Sequence, residues 1–211
     1  MVDLTQLHDA ILRGDAKKAV AVTREALAEN ASPTELVSKH MIPAMDEVGR
    51  RFECQEYFVP ELLLSARAMK GALELIRPLL VEQGVASAGR VIIGTVKGDL
   101  HDIGKNLVAS MLEGAGFEVI DLGTDVAPGK IVTEILERKP NIVALSALLT
   151  TTMPFMKSTI EELRKAGVRE QVKVMVGGAP VTQQYAEQIG ADGYSDNANG
   201  AVAIARKLVS G

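Results

Sequence analysis

The chain has 211 residues, enough for one large domain or two small ones, and 47% hydrophobic with 24% charged residues is ordinary for a globular protein with a packed core. Its net charge of −4 and 3% aromatic content offer neither a basic face nor stacking rings, which disfavours nucleic-acid binding. No segment approaches the roughly 20 apolar residues of a membrane-spanning helix. The N-terminus shows no secretion signal, and a single cysteine, Cys54, cannot form a disulfide within the chain. We therefore expect a cytoplasmic protein that does not bind membranes.

Residues 1 to about 86 show helical spacing throughout. Leu4, Leu7 and Ile11 share one helix face, and a glycine with an aspartate at 14–15 supplies a break. Ser32 is a typical N-cap, Pro33 suits a first helical position, and a proline at position 43 indicates a kink. Four helices with short connections predict a small bundle. The expected helices are 4–12, 16–30, 33–51 and 59–80.

The hydrophobic period changes in the second half of the chain. Five short apolar runs alternate with amphipathic stretches, which predicts a parallel sheet covered by helices on both faces. The expected strands are 90–96, 117–123, 141–147, 172–178 and 191–196, and the expected helices are 105–113, 128–138, 153–165, 181–189 and 200–209. A small, polar segment at 83–89 marks the boundary. The fold class is therefore α + α/β: a four-helix bundle cap, residues 1–88, followed by a five-stranded, flavodoxin-like parallel sheet domain, residues 89–211.

The carboxyl ends of the strands hold the informative residues, and binding sites of such sheets lie there. GDLHDIG (98–104) follows the first strand and SALLTTT (146–152) the third, while GGAP (177–180) and YSDNA (194–198) follow the fourth and fifth. Each feature alone has an ordinary explanation: a solvated histidine, a turn of two glycines, or threonines near a helix N-cap. Together on one edge they favour a ligand site.

Common ligands fit this edge poorly. The chain has neither G-x-G-x-x-G after the first strand nor a P-loop motif, and a receiver domain would need an acid where Ser146 stands. Zinc prefers three or four protein ligands, and the edge supplies only His101. A single histidine suffices, however, if a tetrapyrrole-type macrocycle brings the other ligands of the metal. Asp99 is then placed to accept a hydrogen bond from the second ring nitrogen.

Three motifs in order carry a family resemblance. D-x-H-x-x-G at 99–104, S-x-L at 146–148 and Gly177-Gly178 resemble the signature of cobalamin-binding domains of the base-off, histidine-on type, related to the cobalamin domain of methionine synthase. EYFVPELLLSARAMKGAL (56–73) is similar to the cap helix that precedes such domains. The resemblance covers nearly the whole chain. It points to the corrinoid proteins of methylamine, methanol, methoxyaromatic and betaine methyltransferase systems.

The resemblance implies roles for individual residues. His101 would be the lower axial ligand of cobalt, Asp99 would hold its ring, and Thr152 would extend this relay where a serine is familiar. The residues expected to contact cobalamin or another cobamide are Gly98, Asp99, Leu100, His101, Asp102, Ile103, Gly104, Ser146, Leu148, Thr150, Gly177, Gly178 and Ala198. Six cap residues would either shield the corrin or form the bundle core, and the sequence leaves both explanations open: Tyr57, Phe58, Leu62, Leu63, Ala66 and Met69.

The function implied by the resemblance is methyl transfer. The chain would carry a methyl group on cobalt from a substrate-specific methyltransferase to a second methyltransferase that passes it to coenzyme M or tetrahydrofolate, with a reductive activation protein as a third partner. It would turn nothing over alone. A cobalamin-dependent sensor is the alternative, although the sequence shows no output domain, and a mutase subunit is a third reading. The methyl donor, the acceptor and the lower base of the cobamide stay open.

Overall fold

The structure is a computed structural model of the chain and describes residues 2–83 and 87–210. Two compact units divide the chain: the residues up to Ser87 with Glu113–Gly116, and Ala88–Leu112 with the residues from Phe117 onward. The boundary segment expected at 83–89 includes residues 84–86, which lie outside the described residues. In the ranges 2–83 and 87–210, no helix is both long and apolar enough to cross a membrane.

The first unit is helical, as the sequence predicts. Its elements are α1 (Thr5–Leu12), α2 (Ala16–Ala28), α3 (Pro33–Glu35), a π-helical turn (Leu36–Met41), α4 (Ile42–Glu53) and α5 (Val59–Glu82). Side chains cap two of the helix starts: the carboxylate of Asp15 accepts from the Lys18 N–H at 3.0 Å, and the Ser32 hydroxyl accepts from the Glu35 N–H at 3.4 Å. The expected four-helix bundle is confirmed.

A π-helical turn interrupts the third of the predicted helices. The turn Leu36–Met41 lies directly before Ile42 and Pro43, the first two residues of α4. Because proline has no N–H, it cannot complete the regular i→i−4 ladder at this position, and a π turn is a common way for a helix to absorb such a gap. The kink expected at Pro43 therefore takes the form of a widened turn just before it.

The second unit is a five-stranded parallel sheet with helices. Its elements in chain order are β1 (Arg90–Thr95), α6 (Ile103–Gly114), β2 (Glu118–Asp121), α7 (Pro128–Arg138), β3 (Ile142–Ser146), α8 (Pro154–Lys165), a 3₁₀ turn (Arg169–Gln171), β4 (Lys173–Gly177), α9 (Gln183–Ile189), β5 (Gly193–Ser195) and α10 (Ala198–Ser210). The strand order is β2-β1-β3-β4-β5, and all four pairings are parallel. The predicted flavodoxin-like sheet is confirmed.

The core of this unit lies around β3 and β4. Residues 142–145 of β3 and 174–176 of β4 are buried, as a sheet covered on both faces requires. Ile131 and Ile135 of α7 and Ile160 and Leu163 of α8 belong to the same buried cluster. The chain leaves β1 toward β2 on one side and returns to β3 on the other, so the switch point of the sheet lies between β1 and β3.

Candidate functional site

The loop between β1 and α6 shapes the site. It turns directly after the strand, where the Asp99 N–H donates to the Val96 carbonyl at 3.1 Å, and Gly98 adopts a φ of +78° that favours glycine. This turn buries the Asp99 side chain completely and leaves half of the His101 side chain exposed. The loop thus holds an imidazole at the surface, with a buried carboxylate beneath it.

Five hydrogen bonds converge on the Asp99 carboxylate. Oδ1 accepts from the His101 main-chain N–H at 3.0 Å and lies 2.8 Å from Nδ1 of the His101 ring. Oδ2 accepts from the Thr152 hydroxyl at 2.6 Å and from the main-chain N–H groups of Leu148 and Leu149 at 2.8 and 3.3 Å. The connection between β3 and α8 is therefore organised around a carboxylate that belongs to the β1–α6 loop.

These bonds decide the charge of the site. Burial alone would raise the pKa of Asp99, but the hydrogen bonds from the Thr152 hydroxyl, from the His101 and Leu148 N–H groups and from the His101 ring outweigh it and hold the pKa below its ordinary value of 3.8. The carboxylate is therefore ionised at neutral pH and can only accept. The proton of the neutral His101 ring consequently sits on Nδ1, which leaves a lone pair on Nε2.

The Thr152 hydroxyl has one proton and two acceptors within reach. Its Oγ1 lies 2.6 Å from Asp99 Oδ2 and 2.9 Å from the Leu149 carbonyl oxygen. The shorter contact is to an ionised oxygen, and charge-assisted hydrogen bonds are the stronger ones, so the proton is assigned to the carboxylate. Thr152 is itself buried, which keeps water from competing for this bond.

The exposed nitrogen of His101 is available to a ligand. Nε2 makes no hydrogen bond with any residue in the described ranges 2–83 and 87–210. Across those same ranges, no three His, Cys, Asp or Glu side chains group closely enough to hold a metal ion. The donor set at this edge is thus one imidazole nitrogen, oriented from behind by a carboxylate, the usual arrangement of a metal-ligating histidine.

Exposed apolar side chains and open space surround His101. Leu100 and Ile103 are 73% and 86% exposed, and Leu148 and Leu149 are also exposed. A Cβ added at Gly104 would meet nothing within 4 Å, so the packing of the described chain does not require a glycine there. Apolar surface of this kind beside one imidazole fits a flat macrocycle that brings the other ligands of its metal. A glycine with open space over it permits the close approach of such a group.

Residues of the other strand ends form a row across the sheet. Thr95, Ser146, Gly177 and Ser195 are register partners on β1, β3, β4 and β5. Neighbouring strands lie about 4.8 Å apart, so the row extends roughly 14 Å from the strand that carries the histidine loop. All four side chains are short, as an elongated substituent of a ligand would require at this edge.

The remaining predicted residues occupy varied positions. Thr150 is exposed in the β3–α8 connection, Ala198 is buried at the start of α10, and the Asp102 carboxylate accepts from Asn106 Nδ2 at 3.0 Å. Gly178 has a φ of +127°, and a Cβ there would lie 1.9 Å from a carbonyl oxygen. The fold itself demands glycine at 178, so its presence says nothing about a ligand.

Two residues beside the site were not predicted from the sequence. The hydroxyl of Thr95 donates to the His101 carbonyl at 3.0 Å, and Oδ1 of Asp125 accepts from the Gly98 N–H at 2.7 Å. A single hydroxyl at the end of the apolar run RVIIGTV was a signal for Thr95. The sequence contains no such signal for Asp125, because its contact with Gly98 depends on the path of the β2–α7 connection.

The six cap residues differ in burial: three are buried, two are exposed and one is half-buried. Leu62, Ala66 and Met69 are buried within the helical unit, which assigns them to the bundle core. Phe58 and Leu63 are 61% and 45% exposed, so their side chains are available for contact with another group. The sixth, a tyrosine at position 57, is half-buried, and its hydroxyl donates to a main-chain carbonyl at 3.1 Å.

Taken together, the fold and the site define a class: a protein with a doubly wound parallel sheet whose carboxyl edge presents one imidazole held by a buried carboxylate. The family described as B12 binding domain matches residues 89–203, and a second family of the same description matches residues 4–77. The chain belongs to the B12 binding domain family, and its cofactor is a cobamide.

Individual relatives match nearly the full chain. Trimethylamine corrinoid protein 2 of Methanosarcina mazei is 48% identical over 202 residues, which cover 95% of this chain and 93% of the relative. Dimethylamine corrinoid protein of Methanosarcina barkeri is 42% identical over 208 residues, covering 98% and 97%. The solved methanol:cobalamin methyltransferase complex of Methanosarcina barkeri matches with a TM-score of 0.85 at 29% identity, covering 99% of this chain and 80% of that one. The chain is similar to corrinoid proteins throughout.

Proposed function

We propose that this corrinoid protein carries a methyl group between two methyltransferases and that the methyl donor is a methylamine. The relatives named trimethylamine and dimethylamine corrinoid proteins, matched over nearly their whole length, support the donor class. The likeness to a corrinoid chain within a methyltransferase complex supports partners of that kind. The observation that carries the proposal is the exposed imidazole of His101, held by a buried and ionised Asp99.

His101 and Asp99 act as a pair in this proposal. When bound, the cobamide supplies the cobalt atom that takes up and gives away the methyl group. His101 would hold the cobalt through the lone pair of Nε2, and Asp99 would keep the proton on Nδ1 and make the ring more basic.

The other residues position this pair and exclude water. Thr152 and the main-chain N–H groups of Leu148 and Leu149 keep Asp99 ionised despite its burial. Leu100 and Ile103 form apolar surface beside the imidazole. The row of short residues from Ser146 to Ser195, at the ends of β3, β4 and β5, accommodates the nucleotide tail of the cobamide.

A reconstituted transfer assay tests the function. The purified protein is loaded with a cobamide, reduced with a low-potential chemical reductant, and mixed with a methyltransferase specific for trimethylamine, dimethylamine or methanol together with its substrate. We expect one methyl group transferred per cobamide with a methylamine enzyme, and much slower transfer with the methanol enzyme. Transfer with the methanol enzyme alone would contradict the donor class.

The same assay also distinguishes a methyl carrier from a cobalamin-dependent sensor, the alternative that the comparisons do not favour. A sensor would bind the cobamide and yet accept no methyl group from any of the three enzymes. We expect instead that methyl transfer requires His101 for its normal rate. His101→Ala, loaded to the same cobamide occupancy, is the matched control, because it removes the imidazole and leaves the exposed apolar surface in place.

A further inference from the structure

The main chain of the histidine loop is held by a second set of contacts, separate from the Asp99 carboxylate. Thr95 is the last residue of β1 and is completely buried at the end of an apolar run. Its hydroxyl donates to the carbonyl oxygen of His101 at 3.0 Å. A buried hydroxyl without a partner is unfavourable, so the Thr95 side chain favours the loop conformation that brings this carbonyl within reach.

Asp125, in the connection between β2 and α7, contacts the same loop at Gly98 and Asp99. Its Oδ1 accepts from the Gly98 N–H at 2.7 Å, and its own N–H donates to the Asp99 carbonyl at 3.0 Å. Asp125 has a φ of +53°, a left-handed conformation that aspartate tolerates better than most residues. The two bonds of Asp125 therefore bracket the segment Gly98–Asp99.

We propose that Thr95 and Asp125 are positioning residues for the axial histidine. Asp99 fixes the rotation of the His101 ring, but the position of Nε2 also depends on where the His101 main chain lies. Thr95 and Asp125 fix that main chain at both ends of the Gly98–His101 segment without touching the ring. This inference rests on the proposed role of His101 as the cobalt ligand.

The sheet is secured by other bonds at these positions. The main-chain N–H of Thr95 donates to the Gly123 carbonyl at 3.0 Å, and its carbonyl accepts from the Val126 N–H at 3.0 Å. These main-chain bonds persist when the Thr95 side chain is changed. Thr95→Val, which has the same shape without the hydroxyl, is therefore expected to fold with β1 and β2 in place, so its effect reports on the loop.

Two matched pairs of variants test the proposal. Thr95→Val removes the hydroxyl and Thr95→Ser keeps it. Asp125→Gly removes the carboxylate while accepting the left-handed φ, and Asp125→Asn keeps an oxygen acceptor. Lys139→Gly is the control for a glycine at a left-handed position, because Lys139 also has a positive φ, of +49°, and lies before β3 at the other edge of the sheet.

Three measurements on each variant separate positioning from stability. They are the Kd for a cobamide, the nitrogen splitting in the electron paramagnetic resonance spectrum of the bound, one-electron-reduced cobamide, and amide hydrogen exchange at Gly98 in the cobamide-free protein. We expect Thr95→Val and Asp125→Gly to weaken binding on the order of tenfold and to lose part of the nitrogen-ligated signal. Thr95→Ser, Asp125→Asn and Lys139→Gly should keep an affinity and a spectrum close to those of the wild type. Amide exchange at Gly98 should become faster in Asp125→Gly but not in Asp125→Asn.

The outcomes distinguish this inference from the function on which it rests. If the nitrogen splitting of the wild type is unchanged when its histidines carry ¹⁵N, the proposed axial role is wrong. If ¹⁵N-histidine changes the splitting of the wild type while Thr95→Val and Asp125→Gly retain both that splitting and the affinity, the positioning role is overturned and the axial role stands. If Thr95→Val fails to fold, the comparison of Asp125→Gly with Asp125→Asn decides.

Discussion

Replacing Asp99 with asparagine tests whether the site depends on the charge of the carboxylate, because the two side chains have nearly the same shape. The wild-type carboxylate accepts three donors at Oδ2 and two at Oδ1. The asparagine amide has only one oxygen, and we expect it to take the position of Oδ2, where it accepts from three donors. Its NH₂ group must then face the main-chain N–H of His101, 3.0 Å from the position of the lost oxygen. One donor thus opposes another donor in a buried place.

The expected cost follows from these contacts. Hydrogen bonds to a charged group contribute about 1.5–3 kcal/mol each, and Asp99→Asn loses the charge for all five and the acceptor for two. We expect the free energy of unfolding of the cobamide-free protein to fall by about 3 kcal/mol at pH 7. The amide can donate to Nδ1 of His101, which moves the ring proton to Nε2 and leaves no lone pair for a metal.

Acid should narrow the difference between the two proteins. The pKa of Asp99 is lower in the folded state than its ordinary value of 3.8, so the stability it contributes is present above that value and is lost as the pH falls below it. Asparagine does not titrate, and the other carboxylates are common to both proteins. The gap should therefore shrink by about 1 kcal/mol between pH 5 and pH 3.

Urea unfolding of both proteins at pH 7, 5 and 3 measures this directly. We expect a difference in unfolding free energy of about 3 kcal/mol at pH 7 that narrows in acid. A variant as stable as the wild type at pH 7, or a gap that stays constant down to pH 3, would refute the account of Asp99 as a buried, ionised hydrogen-bond acceptor.

Three further pairs of substitutions have definite expectations. Thr152→Val removes a donor to the buried carboxylate and should lower the free energy of unfolding by about 2 kcal/mol. Thr152→Ser keeps the hydroxyl and should lower it by less than about 1 kcal/mol. Equal losses of the two variants in urea titrations would contradict this. Asp121→Ala leaves the buried Lys105 ammonium without its partner and should lower the free energy of unfolding by about 3 kcal/mol. Lys105→Met should lower it less, because the carboxylate that remains is 39% exposed. A lower thermal midpoint for Lys105→Met than for Asp121→Ala would contradict this. Gly104→Ala should fold normally but bind a cobamide more weakly, whereas Gly178→Ala should show no cooperative unfolding by circular dichroism.

The fold could be predicted from the sequence because its signals are local. The switch from helical spacing to five short apolar runs marks the change of architecture, and each predicted strand overlaps an observed one. The carboxyl edge followed from topology, since parallel strands bring their ends together. The π turn before Pro43 was not predictable, because a proline fixes where the ladder breaks but not how the helix absorbs it.

The site was predictable only where side chains carry the contact. The spacing of Asp99 and His101 suggested their hydrogen bond, and the structure has it at 2.8 Å. The two main-chain N–H groups on Asp99 Oδ2 have no sequence signal, because any residue at 148 or 149 could supply them. Asp125 was missed for a related reason: its contact to Gly98 depends on a left-handed turn in another connection.

The cap shows a different limit of sequence reasoning. Apolar residues on a single helix can be core or ligand contacts, and spacing alone does not separate the two. Burial does: Leu62 and Met69 are 0% exposed in the helical unit, and Phe58 is 61% exposed. The choice depends on which neighbours surround the helix, and these neighbours come from segments far away in the sequence.

The central claim, that a protein nitrogen from His101 is the axial ligand of the cobalt, has one direct test. The protein is produced with ¹⁵N-labelled histidine, loaded with an unlabelled cobamide, reduced by one electron, and its electron paramagnetic resonance spectrum is compared with that of the unlabelled protein. A ¹⁴N ligand splits each cobalt line into three and a ¹⁵N ligand into two. If His101 is the ligand, labelling changes the triplets to doublets, and the doublets disappear in ¹⁵N-labelled His101→Ala. Triplets that persist in the labelled protein would show that the cofactor's own base binds the cobalt and would contradict it.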